Sequence, residues 1–260
     1  MFASLRKRFY GRDFLSIGDV TGEEIQAIID IARELKEAKY RGDTHTLCEG
    51  KTLAMIFEKP STRTRVSFEV AMYQLGGYAL YLNAQDLQLG RGETIADTAR
   101  VLSRYVDGIM IRTSSHENVV ALAEAATVPV INALTDREHP CQILADLMTI
   151  FEAKGRFEGL KLAWVGEGNN VCHSMLLAAP KVRMDIAVAT PPGYEPDAGI
   201  VAAAKEIAAG SRVTVLSDPV EAVREADVVV TDVWTSMGQE AEHAERVRVF
   251  RPYQVNAALL

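Results

Sequence analysis

The stretch Ser61-Thr-Arg-Thr-Arg65 places hydroxyl and guanidinium groups at a turn between a strand and a helix. A short apolar run, Thr52–Phe57, precedes this stretch, and apolar residues at mixed helical spacing follow it. Ser61 therefore occupies the position of a helix N-cap, where unpaired N–H groups and the positive end of the helix dipole attract anions. Arg63 adds a planar cation suited to phosphate oxygens. A capping serine followed by solvated arginines is the simpler alternative, but hydroxyls and arginines this closely spaced favour an anion site.

Polar side chains also follow other predicted strands, at the edge where ligands of doubly wound sheets bind. Each has a structural interpretation beside the functional one: Arg112 as a strand-end charge, and His139 as a structural histidine. Asn169 and Asn170 either cap a helix or hold a polar substrate through their amides. Asp232 is equally suited to bind an ammonium group or to cap a turn. The segments that supply these groups are 112, 139–142, 167–170 and 232–238.

The segment Val165–Val171 resembles the start of a dinucleotide-binding fingerprint because it contains Gly166-x-Gly168. The sixth position of that fingerprint needs a glycine or alanine for close helix packing, and this chain has Val171 there. A nucleotide-dependent oxidoreductase is therefore only a weak hypothesis for this chain. No other feature predicts a cofactor, so we expect none.

Bulk composition restricts the class of protein. The 260 residues are 48% hydrophobic and 24% charged, which is typical of a globular protein with room for two cores. The net charge of -7 disfavours a nucleic-acid partner but allows a local positive pocket. The three cysteines are widely spaced and show no metal-ligand pattern, so we expect a reducing, cytoplasmic setting and no metal. No apolar run reaches the roughly 20 residues of a membrane helix.

Strand and helix patterns alternate along the whole chain, and the strands are nearly continuous apolar runs. This pattern predicts an α/β protein with two doubly wound domains, each a parallel sheet flanked by helices. The turn near Gly155 places the join between residues 1–150 and residues 151–260. A capping box at Thr21–Glu24 predicts an opening amphipathic helix. Predicted strands are 52–57, 78–82, 108–112, 128–133, 160–165, 185–189, 213–216 and 228–232, and later helices are 94–104, 118–126, 140–151, 171–179, 198–209 and 219–226.

Three motifs together resemble one family. Ser61-Thr-Arg-Thr-Arg65, His139-Pro-Cys-Gln142 and Asp232-Val-Trp-Thr-Ser-Met-Gly238 are similar to the motifs of ornithine carbamoyltransferases, over a match from about Arg12 to the last residue. The Ser-Met-Gly loop after an aspartate separates ornithine enzymes of this family from those that use aspartate or putrescine. The resemblance implies transfer of a carbamoyl group from carbamoyl phosphate to the side-chain amine of L-ornithine, which gives L-citrulline and phosphate.

The resemblance also implies a role for each matching residue. Arg63, Arg112 and His139 are expected to polarise the carbonyl and neutralise the departing phosphate. Gln88 is expected to reach the phosphate site of a neighbouring subunit, which implies a homotrimer. Carbamoyl phosphate is expected to contact Ser61, Thr62, Arg63, Thr64, Gln88, Arg112, His139 and Gln142, and L-ornithine is expected to contact Asn170, Asp232, Ser236 and Met237.

The match departs from the family at one end. Family members continue past the position of Leu260 with a further strand, a His-Cys-Leu-Pro loop that touches both substrates, and a closing helix. No His-Cys pair occurs in this sequence, so the second domain is expected to be incomplete at its C-terminus. Two hypotheses follow: an ornithine carbamoyltransferase whose chain is shortened, or an impaired or non-catalytic binding protein for carbamoyl phosphate and ornithine.

Overall fold

The computed structural model describes residues 7–88, 92–208, 210–235 and 240–260. Within these residues the chain forms two compact units, one made of residues 7–20 and 26–144 and the other of residues 21–25 and 145–260. Helix α1, Gly22–Arg41, begins with the predicted capping box, in which Glu24 N–H donates to Thr21 Oγ1 at 3.2 Å. None of the helices in the described part of the chain combines the length and apolar character of a membrane span.

The first unit contains a parallel sheet with the strand order β2-β1-β3-β4. Because chain order reverses between β1 and β3, the switch point of this sheet lies at the carboxyl ends of those two strands. The strands are β1 Thr52–Phe57, β2 Tyr78–Asn83, β3 Gly108–Arg112 and β4 Val130–Leu134, and the helices are α2 Thr62–Gln74, α3 Ile95–Leu102, α4 His116–Ala125 and α5 Pro140–Lys154.

Both faces of the first sheet are covered. Ala54 and Ile56 of β1 pack into a core with residues of α3 and α4, whereas Met55 and Phe57 enter a second core that Phe68 of α2 partly closes. Since alternate residues of a strand point to opposite faces, only a continuous apolar run can fill both cores. This requirement explains the sequence of β1.

The second unit repeats the design with the strand order β7-β6-β5-β8, all parallel. Its switch point lies between β5 and β8. The strands are β5 Lys161–Val165, β6 Asp185–Ala189, β7 Val213–Leu216 and β8 Val228–Val230, and the helices are α6 Asn170–Lys181, α7 Ala198–Ile207, α8 Pro219–Val223 and α9 His243–Phe250. The predicted α/β class with two parallel sheets flanked by helices is confirmed.

The end of α6 differs from its prediction, as do the ends of several other helices by two or three residues. The sequence predicted that the helix starting near Val171 ends before Pro180, but α6 continues through Pro180 to Lys181. Pro180 lies in the last turn, where its missing N–H removes one intrahelical hydrogen bond without ending the helix, and the helix is closed instead by Arg183 just beyond it, whose φ is 61°. Met184 N–H donates to Ala179 O at 2.9 Å, which is the closing bond of a Schellman motif.

Helix α9 was not predicted at all. Its anchors are Phe250, which is fully buried, and Arg246, which is a buried cation. The segment is polar on average, so its helical character depends on these two tertiary contacts more than on a visible apolar stripe. Predicted strand 228–232 is also shorter than expected, since β8 ends at Val230.

Candidate functional site

The first site is built on the N-terminus of α2. Ser61 is its N-cap: the backbone is extended, and Ser61 Oγ accepts a hydrogen bond from Thr64 N–H at 3.3 Å. Arg65 N–H bonds to Ser61 O at 3.1 Å, so the first intrahelical bond begins there. The N–H groups of Thr62 and Arg63 have no acceptor among the described residues. These two donors and the helix dipole form an anion-binding end.

The two arginines of this stretch have different surroundings. Arg65 is held by Glu69, whose Oε1 lies 3.0 Å from Arg65 Nε, and its guanidinium lies 3.8 Å from the centre of the Tyr81 ring. Arg63 is exposed and forms no ion pair with any described residue. Arg63 is therefore the arginine of the pair that is available to an external anion.

Arg112 lies on the other side of the switch point, at the end of β3. It is only 6% exposed, and its Nη1 donates to Thr64 Oγ1 at 3.4 Å, so it faces the N-terminus of α2. Its buried Nε has no hydrogen-bond partner within the described ranges. Burial, and then the charge of Arg63, lower the pKa of Arg112 from its ordinary value. A buried, incompletely bonded cation beside a second cation is costly unless an anion is bound there.

The backbone around Arg112 is held by groups that the sequence did not reveal. The pairing of β3 with β4 shifts register between Ile111 and Arg112. Glu58 N–H donates to Arg112 O at 2.9 Å, and the Glu58 carboxylate accepts a hydrogen bond from the hydroxyl of the buried Thr113. These bonds join the carboxyl ends of β1 and β3, and so fix where Arg112 leaves the sheet.

His139 and Gln142 lie at the start of α5, as the sequence predicted for residues 140–151. Burial, followed by the charge of Arg112, lowers the pKa of His139 to about 4. The imidazole is therefore neutral at pH 7 and supplies a hydrogen-bonding group without a positive charge. The expected neutralisation of a departing phosphate falls to Arg63 and Arg112. Gln142 is half-buried one turn into α5.

Gln88 is exposed beyond the end of β2, and Glu93 N–H donates to Gln88 O at 3.1 Å. Within the first unit, the structure thus brings Arg112 to Thr64 at the cap of α2 and places His139 in the field of Arg112. Among the described residues, no hydrogen bond joins the Gln88 side chain to these groups.

The second site occupies the switch point of the other sheet. Asn169 caps α6, with its Oδ1 accepting from Val171 N–H and Cys172 N–H at 3.0 and 3.1 Å. Its Nδ2 donates to Asp232 Oδ2 at 2.9 Å. Asn170 is the first residue of α6, and its Oδ1 also lies 3.0 Å from Val171 N. The structure therefore brings Asn169 next to Asp232, with Asn170 beside it in the chain. The predicted residues Ser236 and Met237 lie outside the described residues.

A buried cation supports the segment after Asp232. Arg246 of α9 is paired with the Glu167 carboxylate, and its Nε donates to Trp234 O at 2.5 Å. The guanidinium also lies over the rings of Tyr194 and Phe250, at 5.1 and 5.5 Å. Sequence reasoning missed Arg246 because no motif marks it. A positive charge in an otherwise unassigned polar segment was its only signal.

The glycines of the dinucleotide-like segment have a packing role. Gly168 N–H donates to Tyr194 O at 2.8 Å, and a Cβ at Gly168 would lie 2.1 Å from Pro196 N. A close approach of the chain's own loop therefore requires this glycine. Together with Val171 at the sixth position, this contact removes the support for a nucleotide site.

The cysteines are poor nucleophiles in this setting. Burial raises the pKa of the Cys141 thiol to about 12 and raises that of Cys172 well above its ordinary value. Burial also raises the pKa of Cys48. The described part of the chain contains no group of three or more His, Cys, Asp or Glu side chains arranged to hold a metal ion.

Two family models match the chain. The model described as "Aspartate/ornithine carbamoyltransferase, carbamoyl-P binding domain" matches residues 12–152, and the one described as "Aspartate/ornithine carbamoyltransferase, Asp/Orn binding domain" matches residues 158–260. Together they cover both sites described above.

Individual relatives agree with the family models. The chain is 64% identical to the ornithine carbamoyltransferase of Carboxydothermus hydrogenoformans, over 100% of this chain and 83% of that protein. It is 61% identical to the anabolic ornithine carbamoyltransferase of Pyrococcus furiosus, over 96% of this chain and 80% of that protein. A solved structure of ornithine carbamoyltransferase from Pyrococcus furiosus superposes with a TM-score of 0.93 and covers 96% of this chain and 81% of that one.

Proposed function

Because the chain belongs to the aspartate/ornithine carbamoyltransferase family, we propose that it catalyses carbamoyl transfer from carbamoyl phosphate to the side-chain amine of L-ornithine, giving L-citrulline and phosphate. It is a transferase, and relatives that are 56–64% identical over nearly the whole chain carry the ornithine name. The anabolic name of one relative supports a role in arginine biosynthesis.

The observation that carries the proposal is that each sheet has polar groups at its switch point. The first sheet has the anion-binding N-terminus of α2 there, and the second has the Asp232 carboxylate. We assign residues 1–150 to carbamoyl phosphate and residues 151–260 to ornithine. The family models matched to 12–152 and 158–260 support this division by their descriptions.

The carbamoyl phosphate half uses the groups around the N-terminus of α2. The phosphate binds the N–H groups and hydroxyls of the residues from Ser61 to Thr64, with the guanidinium of Arg63 on its outer side. Arg112 faces the same point and lacks a full set of partners, so a bound dianion satisfies its buried Nε. Neutral His139 donates a hydrogen bond to the carbamoyl oxygen, and Gln142 contacts the carbamoyl group beside it.

The ornithine half uses Asp232 for the α-ammonium group, with Asn170, Ser236 and Met237 around the amino-acid end. The deprotonated side-chain amine of ornithine attacks the carbamoyl carbon and forms the new C–N bond. The bond from carbon to the phosphate oxygen breaks, phosphate leaves with the electron pair, and the nitrogen loses a proton. Carbamoyl phosphate is already activated, so positioning and charge stabilisation supply the catalysis.

We propose a homotrimer in which Gln88 completes the phosphate site of a neighbouring protomer. Helix α2 has no buried residue and exposes Val66 by 51%, Val70 by 41% and Tyr73 by 80%, an apolar face that a second copy of the chain covers. Strand β2 is an edge of the same sheet, and Gln88 lies just beyond it.

Mixing two inactive variants tests this shared site. Arg63→Ala protomers and Gln88→Ala protomers, unfolded and refolded together, should regain activity because some sites then combine an intact Arg63 with an intact Gln88. Refolding each variant alone is the control. No regained activity in the mixture would contradict the sharing of Gln88.

A cytoplasmic location is part of the proposal. The three cysteines, all within the described residues, have free thiols, which suits a reducing compartment.

Acceptor specificity tests the function. The purified chain should consume carbamoyl phosphate with L-ornithine far faster than with L-aspartate or putrescine, measured as ureido product and released phosphate. Equal rates with L-aspartate would overturn the ornithine assignment, and no ureido product with any amine would overturn the transferase function.

A further inference from the structure

The amide of Asn169 is used at both ends. Its Oδ1 accepts hydrogen bonds from Val171 N–H and Cys172 N–H, and its Nδ2 donates to Asp232 Oδ2 at 2.9 Å. Two backbone donors fix which end of the amide is oxygen, so the opposite end, which faces Asp232, is the NH₂ group. Asn169 is therefore both a helix cap and a donor to a carboxylate.

Asp232 stands where regular strand pairing has stopped. The last paired residues of β5 and β8 are Trp164 and Val230. Beyond them, Thr231 Oγ1 donates to Val165 O at 2.7 Å, and Asn169 then bonds to Asp232. Side-chain hydrogen bonds thus continue the contact between the two strand ends in place of the backbone ladder.

The bonds from the described residues orient the carboxylate without saturating it. Asp232 Oδ1 accepts from Val233 N–H at 2.7 Å, and Oδ2 accepts from Asn169. Each carboxylate oxygen has two lone pairs, so each retains one acceptor direction that no described residue fills. Both directions lie in the plane of the carboxylate, and the backbone donor and the amide donor together orient that plane.

We propose that Asn169 is a positioning residue, which orients the Asp232 carboxylate toward the α-ammonium group of the amino-acid substrate. The inference rests on the proposed function, since it takes Asp232 as the ornithine carboxylate. Asn169 does not itself touch the substrate. It acts through Asp232, and its effect is confined to the ornithine half of the reaction.

Variants at Asn169 separate the cap from the donor. Asn169→Ser keeps a capping oxygen for the N-terminus of α6 but removes the donor to Asp232. Asn169→Asp keeps an equally good cap but places a carboxylate against Asp232. As a matched control, Asp218→Ala removes a cap in the same unit, where Asp218 Oδ1 accepts from Val220 N–H at 2.9 Å, without touching Asp232.

The expected result is a split between the two Michaelis constants. Asn169→Ser should raise KM for L-ornithine by about tenfold, the change expected when a hydrogen bond to a charged group is lost, while KM for carbamoyl phosphate stays within about twofold. Asn169→Asp should raise KM for L-ornithine further. Asp218→Ala should lower the unfolding midpoint and leave both KM values unchanged.

The binding of L-norvaline supplies a second readout that needs no turnover. This amino acid has the α-ammonium and α-carboxylate of ornithine without the side-chain amine, and its affinity is measured by calorimetry with carbamoyl phosphate present. Asn169→Ser should weaken it by the same factor. An unchanged affinity, or an equal rise in both KM values, would overturn the positioning role.

Measurements on the wild-type protein distinguish failure of the transferase function from failure of the positioning role of Asn169. If it binds L-norvaline but makes no citrulline, the transferase function fails while the comparison with Asn169→Ser still decides the positioning role. If it neither binds L-norvaline nor makes citrulline, both proposals are wrong.

Discussion

His139 carries the most quantitative prediction of the structure. Burial and the charge of Arg112 lower its pKa to about 4, whereas a histidine in an unfolded chain titrates near 6.5. Between these values the unfolded chain binds one more proton than the folded protein at this site. Stability from this group is therefore fully present above pH ~6.5 and is lost as the pH falls toward 4.

The size of the effect follows from linkage. At pH 5 the unfolded histidine is almost fully protonated and the folded one is mostly neutral, which corresponds to about 2 kcal/mol lost relative to pH 7. His139→Gln cannot titrate. Between pH 7 and pH 5, the free energy of unfolding of His139→Gln should therefore fall by about 2 kcal/mol less than that of the wild type.

Two measurements check this prediction. NMR of protein with ¹³C-labelled histidine rings, without added anion, gives the midpoint for the one signal that is missing in His139→Gln. Urea unfolding of both proteins at pH 7 and pH 5, at one protein concentration, gives the stability difference. A His139 midpoint near 6.5, or the same loss of stability in both proteins, would refute the argument that burial and Arg112 keep the ring neutral.

Three further outcomes are expected. Arg63→Ala should weaken the binding of inorganic phosphate ~30-fold or more, because it removes a charged, bidentate contact worth about 2 kcal/mol. Its thermal unfolding midpoint should stay unchanged. Calorimetry measures the affinity and thermal unfolding the stability, and a variant that unfolds would instead indicate a structural role for Arg63. Thr113→Val removes the hydroxyl that donates to Glu58 and should lower kcat/KM for carbamoyl phosphate about tenfold. Thr113→Ser keeps the hydroxyl, so its kcat/KM should stay within about twofold of the wild type. Equal kcat/KM values for the two variants would argue against a role for this hydrogen bond. Tyr73→Glu should convert the proposed trimer to monomers, as measured by sedimentation velocity. A variant that stays trimeric would exclude this face of α2 from the interface.

Much of the fold was visible in the sequence because its central strands are mostly buried on both faces. Strands 52–57, 108–112 and 185–189 have the predicted bounds, since each is a mainly apolar, buried run that polar or turn-forming residues end. Strand 213–216 also has the predicted bounds, although Thr214 is exposed. Features that depend on distant contacts were missed. Helix α9 depends on buried Arg246 and Phe250, and the end of α6 depends on a left-handed residue past a tolerated proline.

Part of the candidate site was also predictable from the sequence, and part was not. The cap at Ser61 is a local signal, so the sequence predicted it. Strand order, by contrast, cannot be predicted from any single segment. Only the sheet places Arg112 beside the N-terminus of α2, and Asp232 beside Asn169, at switch points. The bond between Glu58 and Thr113 is likewise a contact between residues 55 positions apart.

The central claim is carbamoyl transfer to ornithine, and the fate of the carbamoyl carbon tests it most directly. The purified chain is incubated with ¹³C-labelled carbamoyl phosphate and L-ornithine, and ¹³C and ³¹P NMR follow the reaction beside a sample without protein. The label should move into the ureido carbon of citrulline, with one phosphate released per citrulline. Label found only in the products that form without protein would contradict the claim.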